Sequence, residues 1–215
     1  FINMHECTAE QVFICNTNKH GWNFRGANDS YINNVQIKST GWSGFSFPTG
    51  ATFANGGLKV GTLHAYGTNL AGDDPTGYSI DLQSALMADR IYVDSPPKQG
   101  IRLGSANHIN RVFIAFRNPT ASGAYWGVVC EGSANTINSL KINDNFNVSN
   151  SGTDGGGVWI KVGADRNIIG NINMFGQNNT GLTSIGALIE GNYTQINSGV
   201  ISDIVSGTGL KISSA

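Results

Sequence analysis

The chain has 215 residues, of which 29 are glycine and 13% are charged, and its formal net charge is −1. A chain this close to neutrality lacks the concentrated positive charge that nucleic acids and anionic membrane surfaces attract, so neither is expected as a partner. The sequence also contains no apolar run long enough to span a bilayer, so membrane insertion is not expected.

One six-residue pattern occurs eight times, with apolar or small residues at its first, fourth and sixth positions. In chain order, these hexads are AEQVFI (9–14), INNVQI (32–37), VGTLHA (60–65), ADRIYV (88–93), INRVFI (109–114), INSLKI (137–142), IGNINM (169–174) and INSGVI (196–201). Alternating inward and outward side chains are typical of β-strands, and no stretch of ten or more residues has helical periodicity.

A second pattern, glycine followed by apolar-any-apolar, follows each hexad. Its eight copies are GWNF (21–24), GFSF (44–47), GYSI (77–80), GIRL (100–103), GVVC (127–130), GVWI (157–160), GALI (186–189) and GLKI (209–212). Two short strands that alternate at a repeat of 21 to 32 residues indicate a solenoid. We therefore expect one all-β domain over 1–215, a right-handed parallel β-helix of about eight coils with little or no helix.

The hexads predict the interior and its bends. Equivalent inward residues should stack in rows, among them Ile109, Ile137 and Ile169 in one row and Val112, Leu140 and Ile172 in another. The second hexad position is often Asn or Asp, at Asn33, Asp89, Asn110, Asn138 and Asn197. Because these residue types tolerate left-handed backbone angles and their amides can stack, we interpret them as structural residues at the bends.

The three cysteines, Cys7, Cys15 and Cys130, are odd in number and lack metal-ligand spacing. We expect free thiols, which favours synthesis in a reducing compartment. The chain begins with Phe1 and stops just after the eighth glycine segment, with no recognisable polar cap. Since solenoids need such caps, we expect a piece of a longer polypeptide, or one whose caps come from elsewhere.

The alternating glycine-led and Ile-Asn-led strands, the repeat of about 27 residues and the loops of uneven length resemble the right-handed β-helix of the pectate-lyase-like superfamily. Within it, the chain is most similar to bacteriophage tailspike and tail-fibre proteins. The resemblance is one of architecture, and no catalytic motif carries over. It implies a homotrimer on the virion tail that binds, and often cleaves, bacterial surface polysaccharide.

The third residue of each glycine segment should point outward, which places Val129, Trp159 and Leu188 on three consecutive coils. A covering loop, a contact between protomers, or a sugar-stacking platform on Trp159 would each explain such a patch. A solvated ladder of alternating charge is predicted two positions after the third residue of these segments, at Glu131, Lys161 and Glu190.

The hexads present a second outward row that contains His64, Tyr92 and Phe113, with Tyr66 and Asp94 just beyond it. A loop at 68–76 carries Asp73 and Asp74. Aromatic surfaces beside amide, hydroxyl and carboxylate groups are the mixture that a carbohydrate site needs. The candidate ligand-binding residues are His64, Tyr66, Tyr92, Phe113 and Trp159, and the candidate catalytic residues are Asp94, Asp73 and Asp74. The alternative is an exposed ladder of aromatic residues with an ordinary turn at Asp73-Asp74-Pro75.

No nucleophile elbow, phosphate loop or zinc motif is present, and the four histidines lack ligand spacing, so we expect no cofactor and no metal. The sequence thus predicts a tailspike or tail-fibre domain that recognises a bacterial cell-surface glycan. Whether it also cleaves the glycan, as a hydrolase or lyase, is left open. The alternatives are a non-catalytic structural fibre or adhesin on the virion, and a secreted, extracellular polysaccharide lyase or hydrolase.

Overall fold

Eighteen strands and no helix make up the described part of the chain in this computed structural model. The structure describes residues 4–24, 26–48, 57–70, 77–96, 99–116, 125–144, 155–175, 184–202 and 207–213.

The hexads form one parallel sheet of eight strands, here named sheet 1. In spatial order, which is also chain order, its strands are β2 (Thr8–Thr17), β5 (Ser30–Thr40), β7 (Leu58–Tyr66), β9 (Met87–Asp94), β11 (His108–Phe116), β13 (Thr136–Asp144), β15 (Ile168–Phe175) and β17 (Gln195–Ile201).

The glycine segments form the second parallel sheet of eight strands, named sheet 2. Its strands are β3 (Trp22–Asn23), β6 (Phe45–Phe47), β8 (Tyr78–Leu82), β10 (Gln99–Leu103), β12 (Trp126–Cys130), β14 (Gly155–Ile160), β16 (Ser184–Ile189) and β18 (Gly207–Ile212). A short parallel pair, β1 (Met4–His5) and β4 (Ala27–Asn28), completes the described strands.

Successive strands alternate between the two sheets, so each strand pairs with the equivalent strand of the next repeat. In sheet 1, for example, Val112 lies between Ile91 and Leu140. The expected all-β architecture with parallel pairing is confirmed, and it fits a β-solenoid.

The predicted inward rows of sheet 1 are confirmed as the core. Val112, Leu140 and Ile172 are buried side by side, with exposures of 2%, 0% and 1%. Complete burial of a leucine contributes about 1.5–3 kcal/mol, so a row of such residues holds neighbouring repeats together. Sheet 2 adds its own inward residues to this core, including Val128 and Ile160.

At several of the glycines that begin the segments of sheet 2, the core leaves no room for a side chain. A Cβ atom on Gly127 would lie 2.6 Å from Cδ1 of Ile142, and one on Gly157 would lie 2.3 Å from the sulfur of Met174. Both distances are below van der Waals contact. The missing side chain therefore lets sheet 2 approach the side chains of sheet 1 closely.

The alignment of β8 differs by two residues from the predicted one. Asp81, rather than Ser79, pairs with Arg102 and lies in the outward row of sheet 2. The alternating apolar residues permit either alignment, and the observed one buries both Ile80 and Leu82 completely. Ser79 takes the place that glycine holds elsewhere, and its carbonyl accepts a hydrogen bond from the Gly44 amide at 2.7 Å.

A buried row of asparagines, missed in the sequence, joins three repeats at the short turn that leads into sheet 1. Asn107, Asn135 and Asn167 are only 1–2% exposed. Nδ2 of Asn107 donates to Oδ1 of Asn135 at 2.9 Å, and Nδ2 of Asn135 donates to Oδ1 of Asn167 at 2.9 Å. The backbone amides of Asn107 and Asn135 also donate to the next side chain in the row, at 3.0 Å each. The row therefore satisfies polar groups that would otherwise be buried alone.

The predicted left-handed angles at the bends of sheet 1 are wrong. None of the Asn or Asp residues at the second hexad position has a positive φ. Left-handed residues instead occupy the turns, including Ala106, Ala134, Arg166 and Tyr193, with φ between 54° and 61°. The bend residues are exposed, and Asn138 donates to Asn110 at 3.3 Å, so only a weak part of the expected amide stack is present.

Candidate functional site

A row of aromatic residues that is exposed at Tyr92 and half-buried at His64 and Phe113 crosses the middle of sheet 1. His64, Tyr92 and Phe113 are neighbours in register on β7, β9 and β11. The ring centroids of His64 and Tyr92 are 5.3 Å apart, and those of Tyr92 and Phe113 are 4.5 Å apart. These three residues, named the aromatic row, form one continuous ring surface.

Strand geometry fixes the direction of the aromatic row. In β9, Ile91 and Val93 on either side of Tyr92 are buried in the core, so the tyrosine ring must project outward, where it is 40% exposed. The ammonium of Lys141, next in the row, lies 5.7 Å from the Phe113 ring centroid. The row thus ends in a cation above an aromatic face.

The next outward position holds Tyr66 and Asp94, which also pair in register. Tyr66 is 40% exposed, and the ammonium of Lys38 lies 5.6 Å from its ring centroid. Asp94 is half-buried and accepts a hydrogen bond from Oγ of Ser95 at 3.2 Å. Both residues therefore flank the aromatic row as expected.

The other two candidate carboxylates, Asp73 and Asp74, lie outside the described residues. A glycosidase of the ordinary kind needs two carboxyl groups at a fixed separation. The described part of the site supplies one of them, Asp94.

Trp159 belongs to a different surface. It lies on β14 of sheet 2, where its Nε1 donates to Glu190 at 2.7 Å and its ring centroid is 5.5 Å from that of Trp126. The ammonium of Lys161 lies 4.9 Å from the Trp159 ring centroid. The structure does not bring Trp159 together with the aromatic row.

The apolar patch expected on sheet 2 is covered by the chain itself. Val129 is fully buried and Leu188 is 8% exposed, while Trp159 is half-buried. They pack in a small outer cluster with Trp126 and with two further residues, Tyr78 and Ile185. These side chains are therefore packed on strand residues of the same sheet.

The charged side chains of sheet 2 form pairs instead of a fully solvated ladder. Arg102 binds Asp81 through two parallel bonds, from Nε to Oδ1 and from Nη2 to Oδ2, each 2.8 Å long. Nη1 of Arg102 lies 3.7 Å from Glu131, which also pairs with Lys161. Burial opposes the charge of Arg102, but the hydrogen bonds and charge of Asp81 outweigh it and raise the guanidinium pKa.

Tyr78 lies against this network, with the Arg102 guanidinium 5.0 Å from its ring centroid. Burial, followed by the negative charge of Glu131, raises the pKa of Tyr78 to about 12. The phenol therefore stays neutral well above physiological pH. The network fits a structural role, because Asp81 is 2% exposed and offers no surface to a ligand.

Two functional candidates, Arg90 and Arg111, were missed in the sequence. They lie two residues before Tyr92 and Phe113 on the same strands and pair with each other in register. The signal was the repeated order of arginine, one apolar residue and one aromatic residue in RIYV (90–93) and RVFI (111–114).

Among the described residues, no group of three or more His, Cys, Asp or Glu side chains could hold a metal ion. The described ranges contain no helix that is long and apolar enough to cross a membrane. Comparisons with protein-family models, with curated proteins and with solved structures gave no match.

Proposed function

We propose that this chain is a right-handed parallel β-helix of about eight coils, of the kind found in bacteriophage tailspike and tail-fibre proteins. Two eight-stranded parallel sheets whose strands alternate along the chain support this architecture. The proposed hand follows from the strong preference of parallel crossover connections for right-handed winding.

The proposed function is recognition of a bacterial surface polysaccharide through the aromatic row. The observation that carries it is the outward stack of His64, Tyr92 and Phe113, with centroid spacings of 5.3 and 4.5 Å, in which Tyr92 is exposed and the other two rings are half-buried. Sugar rings present C–H faces that pack on aromatic rings, and their hydroxyl groups need polar partners at the edge. Tyr66 and Asp94 offer such partners on one side of the row.

In this proposal the chain belongs to a homotrimer on the virion tail. It acts first as an adhesin, because the described site supplies a ring surface with Asp94 as the carboxylate at its flank. Cleavage of the bound glycan would require a second acid, for which Asp73 and Asp74 are the candidates on the following loop.

Binding of the purified protein to a panel of bacterial capsule and lipopolysaccharide preparations tests this proposal. For a glycan that binds, Tyr92→Ala should weaken the affinity about tenfold or more while the circular dichroism spectrum stays unchanged. Tyr193→Ala is the matched control. Tyr193 is 83% exposed at a turn position where Ala106 and Ala134 stand in other repeats, so this change should alter neither fold nor binding.

Measurement of released reducing sugar in the same samples shows whether the protein cleaves the glycan that it binds. If the protein cleaves, Asp94→Asn should abolish product formation and retain binding. Equal affinity of the wild type and the Tyr92→Ala variant for every bound glycan would reject the aromatic row as the site.

A further inference from the structure

A groove lies beside the aromatic row, along the bends of sheet 1. It consists of two adjoining hollows of about 370 and 310 Å³ that share Asp89 and Asn110 in their lining. Together these hollows are named the bend groove. Its position next to Tyr92 and Phe113 makes it the natural place for substituents of a ligand that rests on those rings.

Arg90 and Arg111 form one wall of the bend groove. Both are exposed, and they pair in register on neighbouring strands, which are about 4.8 Å apart in a sheet. Neither guanidinium forms an ion pair or a side-chain hydrogen bond with another described residue. Since like charges placed opposite each other destabilise a sheet, this uncompensated pair suggests a ligand that brings negative charge.

The other charged residues of the bend groove do not cancel the positive charge of the two arginines. Lys59 adds a third cation, and Asp89 is the one carboxylate in the described lining. A further acid, Glu10, accepts a hydrogen bond from Nδ2 of Asn33, a lining residue, at 3.1 Å. On a chain of net charge −1, the groove therefore concentrates positive charge where a ligand can reach it.

The two arginines also have a fixed relation to the aromatic rings. Arg90 and Tyr92 are two residues apart on β9, and Arg111 and Phe113 are two residues apart on β11. Residues two apart on a strand project from the same face at a separation of about 6.6 Å. A sugar ring stacked on either aromatic residue can thus direct an acidic substituent toward the guanidinium of the same strand.

We propose that the glycan bound by this face is acidic and that Arg90 and Arg111 bind its carboxylate groups while its rings pack on Tyr92 and Phe113. A planar guanidinium matches a carboxylate through two parallel hydrogen bonds, which favours a carboxylated sugar over a neutral one. This inference rests on the proposed function, because it assigns a substrate class to the same face.

The test compares three probes by calorimetry with the purified protein: a capsular oligosaccharide that contains uronic acid, the same oligosaccharide after reduction of its carboxyl groups, and a sulfated oligosaccharide. The wild type should bind the carboxylated probe about tenfold or more tightly than the reduced one, and this preference should diminish at high salt. The double variant Arg90→Gln, Arg111→Gln should bind both of these probes alike. Arg166→Gln, which removes an exposed arginine from a distant turn, should behave as the wild type.

The outcomes separate this inference from the proposed function. If Tyr92→Ala reduces binding but the double arginine variant retains the full preference for the carboxylated probe, the aromatic row stands and the acidic-glycan inference is overturned. Stronger binding of the sulfated probe than of the carboxylated one would also overturn it. If neither Tyr92→Ala nor the arginine variant changes the binding of any probe, both ideas fail together.

Discussion

Cys130 shows how completely a single residue of sheet 2 is removed from water. Its thiol is buried in the core, and burial raises its pKa to about 12 from an ordinary value of 9.0. Cys7 and Cys15 are exposed, and neither forms a disulfide. The expectation of free thiols is therefore confirmed for all three cysteines, and Cys130 behaves as a small apolar residue of the core.

This burial predicts a loss of stability at alkaline pH. Between pH 9.0 and about 12 the thiol is ionised in the unfolded chain and neutral in the folded one. Unfolding then releases a proton, so the free energy of unfolding should fall as pH rises through this window, by up to about 1.4 kcal/mol per pH unit. Urea unfolding of the reduced protein at pH 8 and pH 10.5 measures this effect.

The comparison with Cys130→Ala isolates the contribution of that thiol, because tyrosines and lysines titrate in the same range. Cys130→Ala should be less stable at pH 8 but should lose less stability on going to pH 10.5. Cys15→Ala, which removes an exposed thiol, should follow the wild type. Identical pH dependence in the wild type and the Cys130→Ala variant would contradict the assigned burial.

At the scale of the element, the strands depend on the turns between them as well as on their apolar rows. In the buried asparagine row, Asn135 makes more contacts than its two equivalents: besides both neighbouring side chains, its Nδ2 donates to the carbonyls of Gly104 at 2.6 Å and Gly132 at 3.0 Å. It thereby ties three consecutive repeats through side chain and backbone together.

Asn135→Ala should therefore lower the free energy of unfolding by about 3 kcal/mol or more. The change leaves the Asn107 backbone amide and the Gly104 carbonyl buried without partners, and each such group costs about 1–3 kcal/mol. Nδ2 of Asn107 loses one of its two acceptors and keeps the Leu82 carbonyl at 3.2 Å. The matched control is Asn138→Ala on the same strand. Asn138 is exposed and makes one bond of 3.3 Å, so its loss should change stability by no more than about 0.5 kcal/mol. Urea unfolding at neutral pH measures both, and equal effects would contradict the structural role of the buried row.

At the scale of the whole molecule, the proposed homotrimer must use a surface other than the outer cluster of sheet 2. Val129 and Leu188 are already buried within one chain, and Trp159 is held by Trp126 and Glu190. Multi-angle light scattering should give three times the 22.7 kDa mass of the chain. A monomeric mass at high concentration would reject the trimer.

Trp159→Asp tests the assignment of the outer cluster in the same experiment. The change removes a packed indole and places a second carboxylate beside Glu190, so it should lower stability while the assembled mass stays unchanged. Dissociation of the trimer by this variant without loss of monomer stability would show that the cluster is an interface after all.

The sequence predicted the apolar rows because a strand alternates its side chains with a period of two, which is a local property. It did not predict the alignment of β8, since the choice between its two possible registers depends on Arg102 in the next repeat. Burial of Asn135 and exposure of Asn138 were likewise not evident, because residue type does not reveal which amide faces the interior. The members of the aromatic row followed from alternation alone. The repeated order in RIYV and RVFI was visible in the sequence, but the absence of described partners for Arg90 and Arg111 was visible only in the structure.

The buried asparagine row has a consequence for how the repeats find their order. Every repeat presents similar apolar residues. A strand could therefore pair with the strand of a wrong repeat and still bury its apolar side chains. The position of the asparagines is held by Leu86 in the preceding repeat and by Thr194 in the following one. A pairing that set Asn135 against Leu86 would leave Oδ1 of Asn135 without the donor that Asn107 supplies, as Oδ1 of Asn107 already is in its place next to Leu86. The three asparagines thus mark the middle of the stack and penalise misaligned pairing during folding.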